Sequence, residues 1–115
     1  MVSQMTREQY FEFHKELCVK ALKLSIQKNH DYSGGEDGSN PFQNFMFVEH
    51  MKMNVSAEQG FLVRLADKFK RLSGFCKTGE FQVSDESFED TCVDIINYIC
   101  LLSAYMHSKR KNEGI

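Results

Sequence analysis

Apolar residues recur at intervals of three and four along most of this chain, the spacing that lays one stripe down a helix. Tyr10, Phe13, Leu17, Ala21 and Leu24 form the first stripe, widened by Val19, Leu22 and Ile26. Thr6 precedes it with Gln9 three residues on, so a hydroxyl and an amide can each close one free N–H of the first turn. The pattern predicts a long amphipathic helix from Thr6 to near Lys28. It dissolves over residues 29–44, where the one proline and three of the seven glycines fall. A loop of that length inside a compact domain is either functional or disordered. Its aromatic flanks, Tyr32, Phe42 and Phe45, favour a loop that packs or stacks. Residues 42–53, rich in Phe and Met, predict a short helical plug for the core or an apolar subunit contact.

A second capping box, Ser56 with Gln59, opens a helix whose apolar residues Leu62, Leu65, Phe69, Leu72 and Cys76 run to Gly79. A short turn to Val83 follows. Ser84 is the expected cap of the last helix, with Asp85 and Glu86 in its positive first turn. There Phe88, Cys92, Ile95, Ile99, Leu102 and Met106 form an apolar stripe reaching about Ser108, and residues 109–115 are expected to fray. So short a turn makes the two helices antiparallel neighbours. The fold class is all-α: one domain over residues 1–115, a small helical bundle built on a long antiparallel helical hairpin and completed by homo-oligomerisation.

Composition narrows the partners. A formal charge of -2 with interspersed signs argues against a nucleic-acid polymer, which calls for a strongly basic face. Cys18, Cys76, Cys92 and Cys100 show no Cys-x-x-Cys pair and read as small buried hydrophobes in a reducing compartment. No apolar run approaches the ~20 residues of a membrane span. The expectation is a soluble, cytoplasmic protein.

Candidate chemistry lies on the hairpin. Glu86, Asp90, Asp94 and Asn97 line one side of the last helix, nearly opposite its apolar stripe. The stretch from Val93 to Leu102 is apolar almost all round, so Asp94 and Asn97 are expected to be buried, and a buried carboxylate needs a cation or donors. Arg64, Lys68 and Arg71 across the hairpin can supply an internal salt-bridge network. Alternatively, Asp67, Glu86, Asp90 and Asp94 can hold Mg2+ or Mn2+, which would orient a polyphosphate. His14, His30, His50 and His107 lack metal-type spacing, and only His30, beside Asp31 in the glycine loop, suggests a ligand contact. No Ser-His-Asp or Cys-His arrangement and no phosphate loop is present.

The runs Lys28-Asn29-His30-Asp31-Tyr32-Ser33-Gly34, Asn44-Phe45, Arg64-Leu65-Ala66-Asp67-Lys68-Phe69-Lys70-Arg71-Leu72 and Asp85-Glu86-Ser87-Phe88-Glu89-Asp90-Thr91-Cys92-Val93-Asp94-Ile95-Ile96-Asn97-Tyr98 resemble the phage and prophage nucleotide-modification-associated domains. These are distantly similar to the all-helical MazG-like nucleoside triphosphate pyrophosphohydrolases. The resemblance spans about residues 28–100. It implies a nucleotide-binding protein of a phage, acting in the host cytoplasm, in which Glu86, Asp90 and Asp94 stand for the acids of the second metal-bearing helix. The first helix departs from the pattern, offering Arg64-x-x-Asp67-Lys68 where a Glu-x-x-Glu pair is expected.

Three functions follow. An enzyme would cleave a nucleoside triphosphate to the monophosphate and pyrophosphate, with Asp67, Glu86 and Asp90 catalytic, magnesium on Asp67, Glu86, Asp90 and Asp94, and Lys68 on the phosphates. A binding protein would sequester a nucleotide, or a cyclic nucleotide signal of host defence. It would use Arg64, Lys68, Arg71, His30, Tyr32 and Asn97 and need no metal. A structural oligomer would only pair its acids with its bases.

Overall fold

The computed structural model describes residues 4–32, 40–79, 82–83 and 86–112. Its elements are α1 (Arg7–Tyr32), α2 (Gln43–His50), α3 (Ala57–Thr78), the two-residue strands β1 (Gln82–Val83) and β2 (Glu86–Ser87), and α4 (Phe88–Asn112). The fold is an all-α bundle. The strands pair antiparallel, Gln82 with Ser87 and Val83 with Glu86, and join α3 to α4.

Both predicted capping boxes form. Gln9 N–H donates to Thr6 Oγ1 at 3.1 Å and Thr6 N–H to Gln9 Oε1 at 2.9 Å, and Ser56 and Gln59 repeat the exchange at 3.1 and 2.8 Å. α1 runs to Tyr32, beyond the predicted end at Lys28. Ahead of α2, Asn40 Oδ1 accepts from Phe42 N–H at 3.0 Å, the side-chain turn that asparagine favours. α3 closes on Gly79, whose φ of 74° puts it in the left-handed region while its N–H donates to the Phe75 carbonyl at 2.9 Å.

α4 starts later than expected. Ser84 lies outside the described residues; the cap is Ser87, whose Oγ accepts from Asp90 N–H at 3.1 Å while Asp90 Oδ2 accepts from Ser87 N–H at 3.3 Å. Ser87-Phe88-Glu89-Asp90 is thus a third box. At the other end, the tail expected to fray is helical through Asn112. Lys109 there meets Glu58 at 3.1 Å.

Three contacts fix α3 and α4 as antiparallel: Glu58 with Lys109, Lys68 with Asp94 and Phe75 with Phe88. As one number rises the other falls. The core lies along this hairpin and under α2: Phe45, Ala57, Phe61, Leu65, Tyr98, Leu101 and Tyr105. Phe45 stacks on Phe61 with ring centroids 4.0 Å apart and meets Tyr98 edge-on at 6.1 Å. α1 packs on α4; its Ala21 is buried and Leu17 and Leu24 half-buried, whereas the side chains of residues 7–16 are all exposed.

The buried stripes differ in phase from those predicted. On α3 the inward row is Ala57, Phe61, Leu65, Lys68, Leu72 and Phe75, and Leu62, Phe69 and Cys76 are exposed. On α4 Thr91, Val93, Asn97, Tyr98, Leu101 and Tyr105 are buried with Asp94 half-buried among them, and Ile99 and Met106 are exposed. The inward rows hold the aromatic side chains Phe61, Phe75, Tyr98 and Tyr105, and Lys68 and Asp94 sit within these rows because each neutralises the other. Cys18, Cys76 and Cys100 are exposed and Cys92 is half-buried, so the expectation of four buried thiols is corrected.

Candidate functional site

The acids predicted to share one site are distributed over several local arrangements. Asp67 is exposed and faces Arg71 one turn on, with Oδ2 3.3 Å from Arg71 Nε. Asp94 is half-buried and pairs with Lys68 at 3.0 Å across the hairpin, the two side chains 19% and 15% exposed. Asp90 is the third residue of the α4 capping box. The backbone N–H and hydroxyl of Ser87, aided by Lys20 at 3.8 Å, hold its carboxyl below the usual aspartate range. Glu86 belongs to β2, ahead of the helix, so the expected row of acids on one helix begins at Asp90; its side chain lies outside the described residues.

Lys20 of α1 makes its closer contact with Glu89 and bridges α1 to the start of α4. That carboxylate raises the Lys20 pKa. Sequence reasoning missed Lys20 and Glu89, and it also missed the Glu58–Lys109 pair. Neither couple has a local signature, since the partners are 69 and 51 residues apart.

The basic residues share one side of α3. Arg64, Lys68 and Arg71 follow one another at intervals of four and three, which stacks them along a helix face. Arg64 is exposed, its guanidinium carbon 5.9 Å from the centroid of the Phe45 ring, within cation–π range. Arg71 is also exposed and Lys68 half-buried. Asn97, one turn beyond Asp94, is 6% exposed. Its burial agrees with the sequence reading. His30 and Tyr32 lie in the last turn of α1, and their side chains fall outside the described residues, as does the glycine-rich part of the loop.

This geometry bears on a divalent ion. Magnesium asks for near-octahedral oxygen ligands converging on a point. Among the described residues no three His, Cys, Asp or Glu side chains come together in a way that could hold a metal. Asp67, Asp90 and Asp94 each already meet a protein donor, and these three do not fit the ion as a shared ligand set. What the arrangement offers chemically is a cationic face on α3, with Arg64 beside the Phe45 ring and Lys68 and Arg71 in pairs with Asp94 and Asp67.

Among the described residues no helix is long and apolar enough to cross a membrane. Comparison with known protein families, with curated proteins and with solved structures finds no match to this chain.

Proposed function

We propose that the protein binds a nucleotide or cyclic nucleotide through its phosphates and retains it without cleavage. The observation that carries this reading is Arg64, exposed on the basic face of α3 beside the Phe45 ring, with Arg71, paired with Asp67, and Lys68, paired with Asp94, further along the same face. Guanidinium groups suit phosphate because their planar fork donates two parallel hydrogen bonds. The resemblance to nucleotide-modification-associated domains supports a nucleotide as the ligand class. Retention is favoured over hydrolysis because Asp67, Asp90 and Asp94 stand apart, each in its own local arrangement with Arg71, Ser87 and Lys68, and no three acids converge among the described residues. A metal-dependent pyrophosphohydrolase needs its carboxylates free to converge on the ion.

The test begins with mass spectrometry of small molecules released on denaturing the purified chain. Thermal shift follows with nucleoside triphosphates and cyclic nucleotides, with and without magnesium or manganese. Recovery of an intact nucleotide, or a shift with no pyrophosphate release, is the expected result. Arg64→Ala and Arg71→Ala should each weaken binding about tenfold, the scale of a lost hydrogen bond to a charged group. Pyrophosphate release on adding the metal would overturn retention in favour of catalysis, and absence of any shift would overturn the nucleotide ligand itself.

A further inference from the structure

α1 has two apolar faces, and only one is used within the chain. The face of Leu17, Ala21 and Leu24 is the one covered within the chain, where α1 packs on the rest of the bundle. Turned well away from it are Phe11, Val19, Leu22 and Ile26, exposed by 59%, 43%, 60% and 67%. At roughly 150–250 Å² per large side chain, those fractions leave about 400 Å² of apolar surface per copy. Doubled across a pair this gives about 800 Å² of apolar surface, the larger part of the ~1,200 Å² floor of specific interfaces. A groove of about 580 Å³ runs beside it, lined in part by Val19, Lys23 and Gln27.

Apart from Asp31, the acids of α1 fall in its first half. Glu8, Glu12 and Glu16 stand there beside Arg7 and Lys15, whereas the later turns carry Lys20, Lys23 and Lys28 with no acid between Glu16 and Asp31. Lys20 is held by Glu89, but Glu12 and Lys23 flank the exposed apolar face along one edge. When two such helices pair antiparallel, like edges meet. Glu12 of one copy then comes level with Lys23 of the other, twice by symmetry, and Phe11 packs toward Leu22 and Ile26. A parallel pairing sets that edge against the one carrying His14 and Ser25 and brings neither ion pair together.

We infer that the protein forms a two-fold homodimer in which the outer face of α1, centred on Leu22 and edged by Glu12 and Lys23, packs antiparallel against the same face of a second copy. The face runs from Phe11 to Ile26, about 23 Å of helix at 1.5 Å per residue. Lys15, between Phe11 and Val19, lays its methylenes along the seam and carries its ammonium to the rim. This interface is independent of the basic strip of α3, so it stands or falls separately from nucleotide binding.

The experiment is sedimentation velocity on the full chain across the micromolar range, with helix content and melting followed by circular dichroism. The wild type should sediment as a dimer. Leu22→Lys, at an exposed position, should leave the fold intact and weaken dimerisation about a hundredfold, since two apolar side chains are lost from the seam. Glu12→Lys and Lys23→Glu should each weaken it about fivefold, as broken surface ion pairs do, and the two together should restore it. A monomeric wild type overturns the proposal, as does a dimer indifferent to Leu22→Lys. Failure of the double reversal to restore association overturns the antiparallel arrangement.

Discussion

Lys68 of α3 and Asp94 of α4 meet 3.0 Å apart inside the helical hairpin, at positions that on neighbouring turns are filled by Leu65, Leu72, Tyr98 and Leu101. The pair stands in place of an apolar contact in the middle of the core stripe. Ion pairs at this depth are expensive to break and cheap to replace as a unit. Asp94→Asn should therefore cost about 1–2 kcal/mol, between the values for exposed and fully buried pairs. The double substitution Lys68→Met with Asp94→Leu should recover most of it. Urea unfolding of both variants measures the difference, and equal losses would show that the pairing itself contributes nothing.

Stability should fall in acid partly through Asp90. Its carboxyl is held below the usual range by Ser87 first and Lys20 afterwards, so the folded chain binds that proton less readily than the unfolded one. The resulting stabilisation is fully present above the ordinary aspartate pKa of about 4 and is lost as the pH falls through the lower folded value. Asp90→Asn should flatten this acid limb. Thermal unfolding followed from neutral pH downward reads the slope for both proteins.

Two glycines should respond with opposite signs. Gly74 is inside α3, and a Cβ built on it meets nothing within 4 Å, so Gly74→Ala should stabilise by about 0.5–1 kcal/mol through lost freedom of the unfolded chain. Gly79 ends the same helix at φ 74°, where a Cβ strains the backbone, and Gly79→Ala should destabilise by about 1–2 kcal/mol. Chemical denaturation of the two variants gives both signs in one comparison.

The cysteines should fall into two kinetic classes. Cys18, Cys76 and Cys100 are exposed and Cys92 half-buried. Burial pushes the Cys92 thiol up, helped by Glu89 and Cys76, which leaves little thiolate to react. Labelling of the native protein with an aromatic disulfide reagent at mildly alkaline pH should show three thiols reacting quickly and one slowly. Cys92→Ser should remove the slow phase alone.

Helix existence was legible in the sequence, and helix rotation was not. The boxes Thr6–Gln9 and Ser56–Gln59 are local patterns with a local cause, and the structure contains both. The box at Ser87 had the same spacing to Asp90, but Ser84 carried two following acids and drew the start of the helix forward. Rotation depends on partners far along the chain. Leu65 and Leu72 belong to both the predicted and the observed stripe of α3, whereas Phe61 and Phe75 take the buried places expected of Leu62 and Cys76, meeting the rings of Phe45 and Phe88 on other elements. The candidate residues were legible as residue types, and their grouping was not. Nothing in the spacing of Asp67, Asp90 and Asp94 reveals that Arg71, Ser87 and Lys68 engage them one by one.

The packing of α2 also equips the protein for spectroscopy. The chain has no tryptophan and four tyrosines, two of which, Tyr98 and Tyr105, are buried and held edge-on by Phe45 and Phe42. Rigid aromatic contacts of this kind give near-ultraviolet dichroism, which vanishes when side-chain packing loosens even if helices persist. With no indole band to mask it, the tyrosine signal is a built-in gauge of whether α2 is seated on the hairpin. A state that keeps its helices while α2 lifts away can thus be seen without any label.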